Sequence, residues 1–242
     1  MTWLHREPQH GVPLRLDLPD AAAVEAAFAR VAPDVVVHTA YRQADEHLER
    51  DVVEATANVA RASASIGARL VHLSSDLVFD GNHRPPARYS ERDVPRPASA
   101  YGRSKLAAEH LVRAGGANAL VVRTSLLYGK PDGPQERLAR RDDVTFYTDE
   151  IRTPIHVADL AEALLELAGR GDVRGVLHVG GPEALSRLEL ARALAPDRAH
   201  RGAPSPPRSA RPRNVALDSS RAAAILGTRI RGVAESLHSL HS

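Results

Sequence analysis

The stretch Tyr101-Gly102-Arg103-Ser104-Lys105 sets a phenol and an ammonium four residues apart. On a helix that spacing puts both side chains on one face, one turn apart. An ammonium held there stabilises the phenolate. A free tyrosine titrates near pH ~10, so a phenol that trades protons with a substrate needs such a neighbour. Upstream, Leu70-Val71-His72-Leu73 runs into Ser74-Ser75-Asp76, two hydroxyls and a carboxylate. A strand delivering Ser75 opposite Tyr101 and Lys105 completes a hydroxyl–phenol–ammonium site for acid–base work on an oxygen. The plainer alternative is a half-buried helix tyrosine with a solvated lysine. The order strand, Ser75, helix, Tyr101, Lys105 favours the site.

Those groups need regular elements to hold them. Val12–Leu18 alternates in part and reads as a strand, with Asp20 capping a helix over Ala21–Val31. Val35-Val36-Val37-His38 is a short continuous apolar run, the mark of a parallel strand buried on both faces. Glu46–Ile66 carries one apolar helical stripe and Gly67 ends it. Arg69–Leu73 and Ala119–Arg123 read as buried strands around the helix Tyr101–Ala114. Phe79–Ala100 is a Pro-rich loop, and Tyr128–Pro134 and Pro196–Arg213 are further loops. Asp143–Tyr147 and Val176–Val179 read as strands. Val157–Ala168, a Ser186-capped segment to Leu194, Ser219–Leu226 and Val233–Leu240 read as helices. Strands alternating with helices predict an α/β fold with a Rossmann-like, doubly wound parallel sheet. In such sheets ligands bind beyond the carboxyl ends of the strands. Thr39-Ala40-Tyr41, Ser74-Ser75-Asp76 and Thr124-Ser125 fall at such ends.

Composition narrows the class. The 242 residues are 43% hydrophobic and 4% aromatic, so Leu, Val and Ala must fill the core. The net charge of +2 comes from acids interleaved with Arg, which argues against a nucleic-acid face. There is no Cys, hence no disulfide framework. No apolar run approaches the ~20 residues of a membrane span, and no signal-peptide pattern opens the chain. The twelve His show no metal-ligand spacing. A cytoplasmic protein without a metal is the expectation.

Strand–Ser75–Tyr101-x-x-x-Lys105 resembles the extended short-chain dehydrogenases/reductases. Four stretches resemble the dTDP-4-dehydrorhamnose reductase family in particular: Pro33 to Ala40, Leu73 to Gly81, Tyr101 to Lys105, and Arg123-Thr124-Ser125-Leu126-Leu127-Tyr128-Gly129. The resemblance implies reduction of a 4-keto sugar on a nucleoside diphosphate by NADPH or NADH. It implies that Tyr101 protonates the ketone oxygen, Lys105 lowers its pKa and meets the nicotinamide ribose, and Ser75 holds the ketone. Asp76, Leu126 and Arg152 would face the sugar nucleotide. Asp17 and Leu18 would flank the adenine, and Thr39, Ala40, Tyr41 and Ser74 the cofactor backbone. Asn58 matches a family Asn that braces the site. One domain over 1–242 is expected, with substrate-lobe segments at about 129–156 and 180–242 and a homodimer as an open possibility. The alternatives are a nucleotide-binding partner subunit without turnover, or a nucleotide-sugar epimerase or dehydratase, which Asp76 would suit.

Three departures bear on the substrate. Leu77 and Leu126 stand where the family carries Tyr and Trp, and Tyr41 where a small residue is common. A fourth is larger. The family's strand and Gly-rich turn, G-x-x-G-x-x-G, do not occur in this sequence. The sheet is therefore expected to be incomplete at its amino end, without its central first strand.

Overall fold

The structure, a computed structural model, describes residues 14–40, 48–116, 118–206 and 211–238. Helix α1 (Ala21–Val31) starts at Asp20, whose carboxylate accepts from Ala23 N at 3.0 Å. Strand β1 (Val35–His38) follows. A six-residue π-helical stretch, Glu49–Glu54, leads into α2 (Ala55–Ser65). Strand β2 (Arg69–Ser75) feeds a 3₁₀ turn, Asp76–Val78, and the long loop then reaches α3 (Ala100–Ala114), capped by Ser99. Strand β3 (Ala119–Thr124) completes the repeat.

The carboxyl-terminal half adds β4 (Leu127–Tyr128), α4 (Pro134–Ala139), β5 (Thr145–Tyr147), β6 (Ile151–Arg152) and β7 (Ile155–His156). Then come α5 (Val157–Ala168), β8 (Gly175–His178), β9 (Leu185–Ser186) and α6 (Arg187–Leu194). Strand β10 (Arg201–Ala203), α7 (Ser220–Ile225) and α8 (Val233–His238) close the described chain.

Four strands make the central sheet, in the order β1-β2-β3-β8, all parallel. Their alternation sorts the core into two layers. Leu70 and Val121 pack with Val59, Ala60 and Val112 of α2 and α3. Val71, Leu120, Val122 and Leu177 pack on the other face with Leu160, Leu164 and Leu167 of α5. The apolar runs of β2 and β3 are buried because helices cover both faces. The run Val35–His38, expected to be buried on both faces, is not, since β1 lies at the sheet edge among the described residues and leaves Val35 and Val37 exposed. Three small two-stranded sheets, β4/β7, β5/β10 and β6/β9, lie outside it.

Several expectations need correction. Leu14–Leu18 forms no strand; it runs irregularly into a turn at Leu18–Pro19. The stretch has no neighbour strand to pair with among the described residues. Tyr128–Pro134 is not all loop, since β4 takes Tyr128 and Pro134 opens α4 from its first position, where a proline loses no hydrogen bond. Arg201–Ala203 is a strand because it pairs with β5, a partner invisible in local sequence. The Phe79–Ala100 loop is ordered by packing. Phe79 stacks on Tyr89 with centroids 4.2 Å apart, and Tyr89 N donates to Ala216 O at 2.8 Å. Val215 and Leu217 bury both rings.

Candidate active site

The carboxyl ends of β2 and β3 and the first turns of α3 border a cleft of about 760 Å³. Thr39, Ser75, Asp76, Tyr101, Lys105 and Leu126 all line it. Gly102 explains how α3 comes so close. A Cβ there would collide with the backbone carbonyl of Leu77, so only glycine lets the helix sit against the 3₁₀ turn. That contact sets Tyr101 and Lys105 beside the residues that follow Ser75.

Lys105 is buried, and its Nζ donates to Leu73 O at 2.6 Å. Burial pushes its pKa down to about 8, and the Glu109 carboxylate opposes that fall. Tyr101 packs its ring on Leu48, Val52 and Ala108. Ser75 caps the 3₁₀ turn: Leu77 N donates to its Oγ at 3.2 Å, and the hydroxyl donates to Asp76 Oδ1 at 3.2 Å. Asp76 also accepts from Ser125 Oγ at 2.6 Å and lies 3.8 Å from Arg152 Nε. Burial raises the Asp76 pKa; Arg152 and the two serines pull the other way.

Across the cleft stands a basic wall of Arg152, Arg187 and Arg211. Arg152 is occupied, donating to the carbonyls of Ile151, Pro212 and Arg213 at 3.0 to 3.3 Å. Arg187 differs. Its guanidinium has no hydrogen-bond or ion-pair partner among the described residues, and burial, then Arg152, lowers its pKa to about 10. Sequence reasoning missed it because it reads as an ordinary first residue of a capped helix. Its capping box, Ser186 with Glu189, is formed as that pattern implies.

Other expected site residues lie elsewhere. Asp17 pairs with Arg50 at 3.4 Å on the surface. Leu18 packs at the edge of the α2/α3 layer, and Ala40 does not line the cleft. Tyr41 falls outside the described residues. Ser74 borders the cleft, but its hydroxyl turns to Glu109 Oε1 at 2.5 Å, because neighbouring strand residues face opposite sides. Asn58 braces backbone, donating to the carbonyls of Leu18 and Pro19 at 2.9 and 3.0 Å. Among the described residues no group of His, Asp or Glu is arranged to hold a metal ion.

A parallel sheet with a serine, a tyrosine and a buried lysine bordering the cleft at its carboxyl edge defines a Rossmann-like α/β protein. Within that class the chain belongs to the RmlD substrate binding domain family, whose model matches residues 4–241. It is 40% identical over 194 residues to dTDP-4-dehydrorhamnose reductase of Mycobacterium tuberculosis (strain ATCC 25618 / H37Rv), a match covering 74% of this chain and 63% of that protein. It is 32% identical over 234 residues to methionine adenosyltransferase 2 subunit beta of Bos taurus, covering 86% and 69%. The chain thus spans under two thirds of that reductase's length. A solved dTDP-4-dehydrorhamnose reductase from Bacillus anthracis, in complex with NADP, superposes with a TM-score of 0.81 at 26% identity, covering 93% of this chain and 86% of that one.

Proposed function

We propose that the chain is the reducing part of an NAD(P)H-dependent reductase of a keto sugar carried on a nucleoside diphosphate, with Tyr101 as general acid. The observation that carries this reading is Lys105, buried and fixed by Leu73 O in the cleft that Tyr101 and Ser75 also line. Thr39, Tyr101 and Lys105 suit the nicotinamide ribose end of the cofactor. A Gly-rich turn for its pyrophosphate does not occur in the 242 residues. Bound there, the dinucleotide supplies a hydride.

The chain's own residues do the rest. Ser75 turns its hydroxyl from Asp76 to the ketone oxygen and orients it. Tyr101 gives that oxygen its proton, and the Lys105 ammonium stabilises the phenolate left behind. Arg187, desolvated and unpartnered, meets the diphosphate, with Arg152 and Arg211 beside it. The segments 129–156 and 180–242 form the substrate lobe in this reading, since they supply that wall. Leu126 and Leu77, in place of aromatic residues, point to a sugar other than the rhamnose precursor.

A second reading has one observation in its favour. The similarity to a transferase's beta subunit suits a nucleotide-binding partner without turnover. The two separate on one experiment. In the chain extended at its amino end by a family strand and Gly-rich turn, Tyr101→Phe should lower kcat by ~10²–10⁴-fold and leave KM for the sugar nucleotide near its original value. Unchanged kcat removes Tyr101 from the mechanism. No NADPH oxidation by the parent with any keto sugar favours the partner subunit.

A further inference from the structure

Tyr101, Lys105 and Glu109 occupy successive turns of one face of α3. The first two border the cleft, and the third is 1% exposed and touches no part of it. Glu109 accepts hydrogen bonds from Ser74 and Arg123. Ser74 Oγ gives one at 2.5 Å, the Arg123 Nε–H is shared between both oxygens at 3.0 and 3.2 Å, and Arg123 Nη2 gives one at 2.7 Å. Arg123 is itself 3% exposed, with its guanidinium carbon 5.1 Å from the centre of the Phe79 ring. Buried ion pairs of this kind are often no more stabilising than apolar side chains of equal volume. A carboxylate at this place does something an apolar side chain cannot, because it sits one turn beyond a buried lysine.

We infer that Glu109 is a positioning residue, which keeps Lys105 in its ammonium form and ties the Ser74–Ser75 end of β2 to α3. This rests on the reading of Lys105 as the partner of Tyr101. Two consecutive residues of β2 are held to two residues of α3: Leu73 O by Lys105 Nζ, and Ser74 Oγ by Glu109. Ser75, the next residue, is thereby fixed relative to Tyr101. The charge argument runs in the same direction. Burial drives Lys105 towards its neutral form, and Glu109 is the charged neighbour that opposes it. The other titratable groups around Lys105 do not help. His38 on β1 and His72 on β2 are buried and held neutral, their rings 5.1 Å apart, and their own protonation is disfavoured by the Lys105 charge. Asp76, beyond Ser75, has its carboxyl pulled towards the neutral form by burial. Arg123, bound to Glu109, is not among the charges that shift Lys105.

The sequence makes the test direct, because the chain has only two lysines, Lys105 and the exposed Lys130. Lysine-selective ¹³C/¹⁵N labelling of the 242-residue chain therefore gives two titrating signals, with Lys130 as an internal reference. Glu109→Gln should lower the Lys105 midpoint by about one pH unit, a tenfold loss of proton affinity. That variant leaves Arg123 buried without its partner, which threatens folding. The double variant Glu109→Gln/Arg123→Gln keeps hydrogen-bonding side chains without the charges, and should show the same downward shift in a folded protein. A Lys105 midpoint that stays at the parent value in the folded double variant overturns the inference, whatever happens to the melting temperature. No turnover enters the measurement, so a failure of the reductase reading leaves the result intact, and the reverse.

Discussion

Lys105 works close to its own titration. Because burial lowers its pKa to about 8, the ammonium is intact at neutral pH and is lost as pH rises through that value. In the proposed mechanism the phenol of Tyr101 loses its stabilising charge in the same window. Reduction should therefore hold its rate below about pH 7 and fall across pH 8, read from kcat against pH. A flat profile from pH 6 to 10 would contradict that role. At the sugar end, Leu126 is partly buried against Tyr128, Leu190 and Val233. Leu126→Trp should improve kcat/KM for dTDP-4-keto-rhamnose over the parent, and a parent efficiency of ~10⁴ M⁻¹s⁻¹ or more with that substrate would sink the idea. At this scale the sequence was legible in one respect: Ser75, Tyr101 and Lys105, expected together, line one cleft. Ser74 borders the same cleft, with its hydroxyl on Glu109, as the two-residue period of a strand implies. Glu109 was equally readable, four residues past Lys105. Arg187 was not, since nothing local says which of many arginines the fold leaves unpartnered.

Between elements, the closest approach is α3 against the Asp76–Val78 turn. Gly102→Ala would put a methyl group into the Leu77 carbonyl. Overpacking of this kind costs ~1–3 kcal/mol. A fall of several degrees in melting temperature should follow, at roughly 2–4 °C per kcal/mol for a chain of this length. Tyr101 would shift with its helix, so turnover should drop as well. Unchanged melting and unchanged turnover would show that the helix has room to move. Elements with strong periodicity and caps were legible. Val157–Ala168 is a helix over the expected residues, and Ser186 caps the next one. The short strands β4, β6, β7, β9 and β10 were not, because each exists only through a partner distant in sequence. The Phe79–Ala100 loop was read as loop and is one, yet its order comes from Val215 and Leu217, more than a hundred residues on.

Across the whole molecule, β1 stands at the edge of the sheet among the described residues, with Val35 and Val37 exposed at 38% and 37%. The parallel order and helix-covered faces followed from the apolar runs. The family's Gly-rich turn does not occur in the 242 residues. That turn and the helix behind it supply the N–H groups and dipole that hold a pyrophosphate. NADPH should therefore bind the 242-residue chain more weakly than ~1 μM, about −8 kcal/mol, by calorimetry. Tighter binding would mean that other residues hold the pyrophosphate. The central claim is a hydride transfer completed by a proton from Tyr101, and isotope transfer tests it most directly. In the chain extended by a strand and Gly-rich turn, NADPH deuterated at the nicotinamide C4 is incubated with a keto sugar nucleotide, and the product is read by mass spectrometry and NMR. The account predicts one deuterium on the former carbonyl carbon, formed at a rate that Tyr101→Phe cuts by ~10²-fold or more. Product without deuterium, or none formed while the dinucleotide is bound, would contradict it.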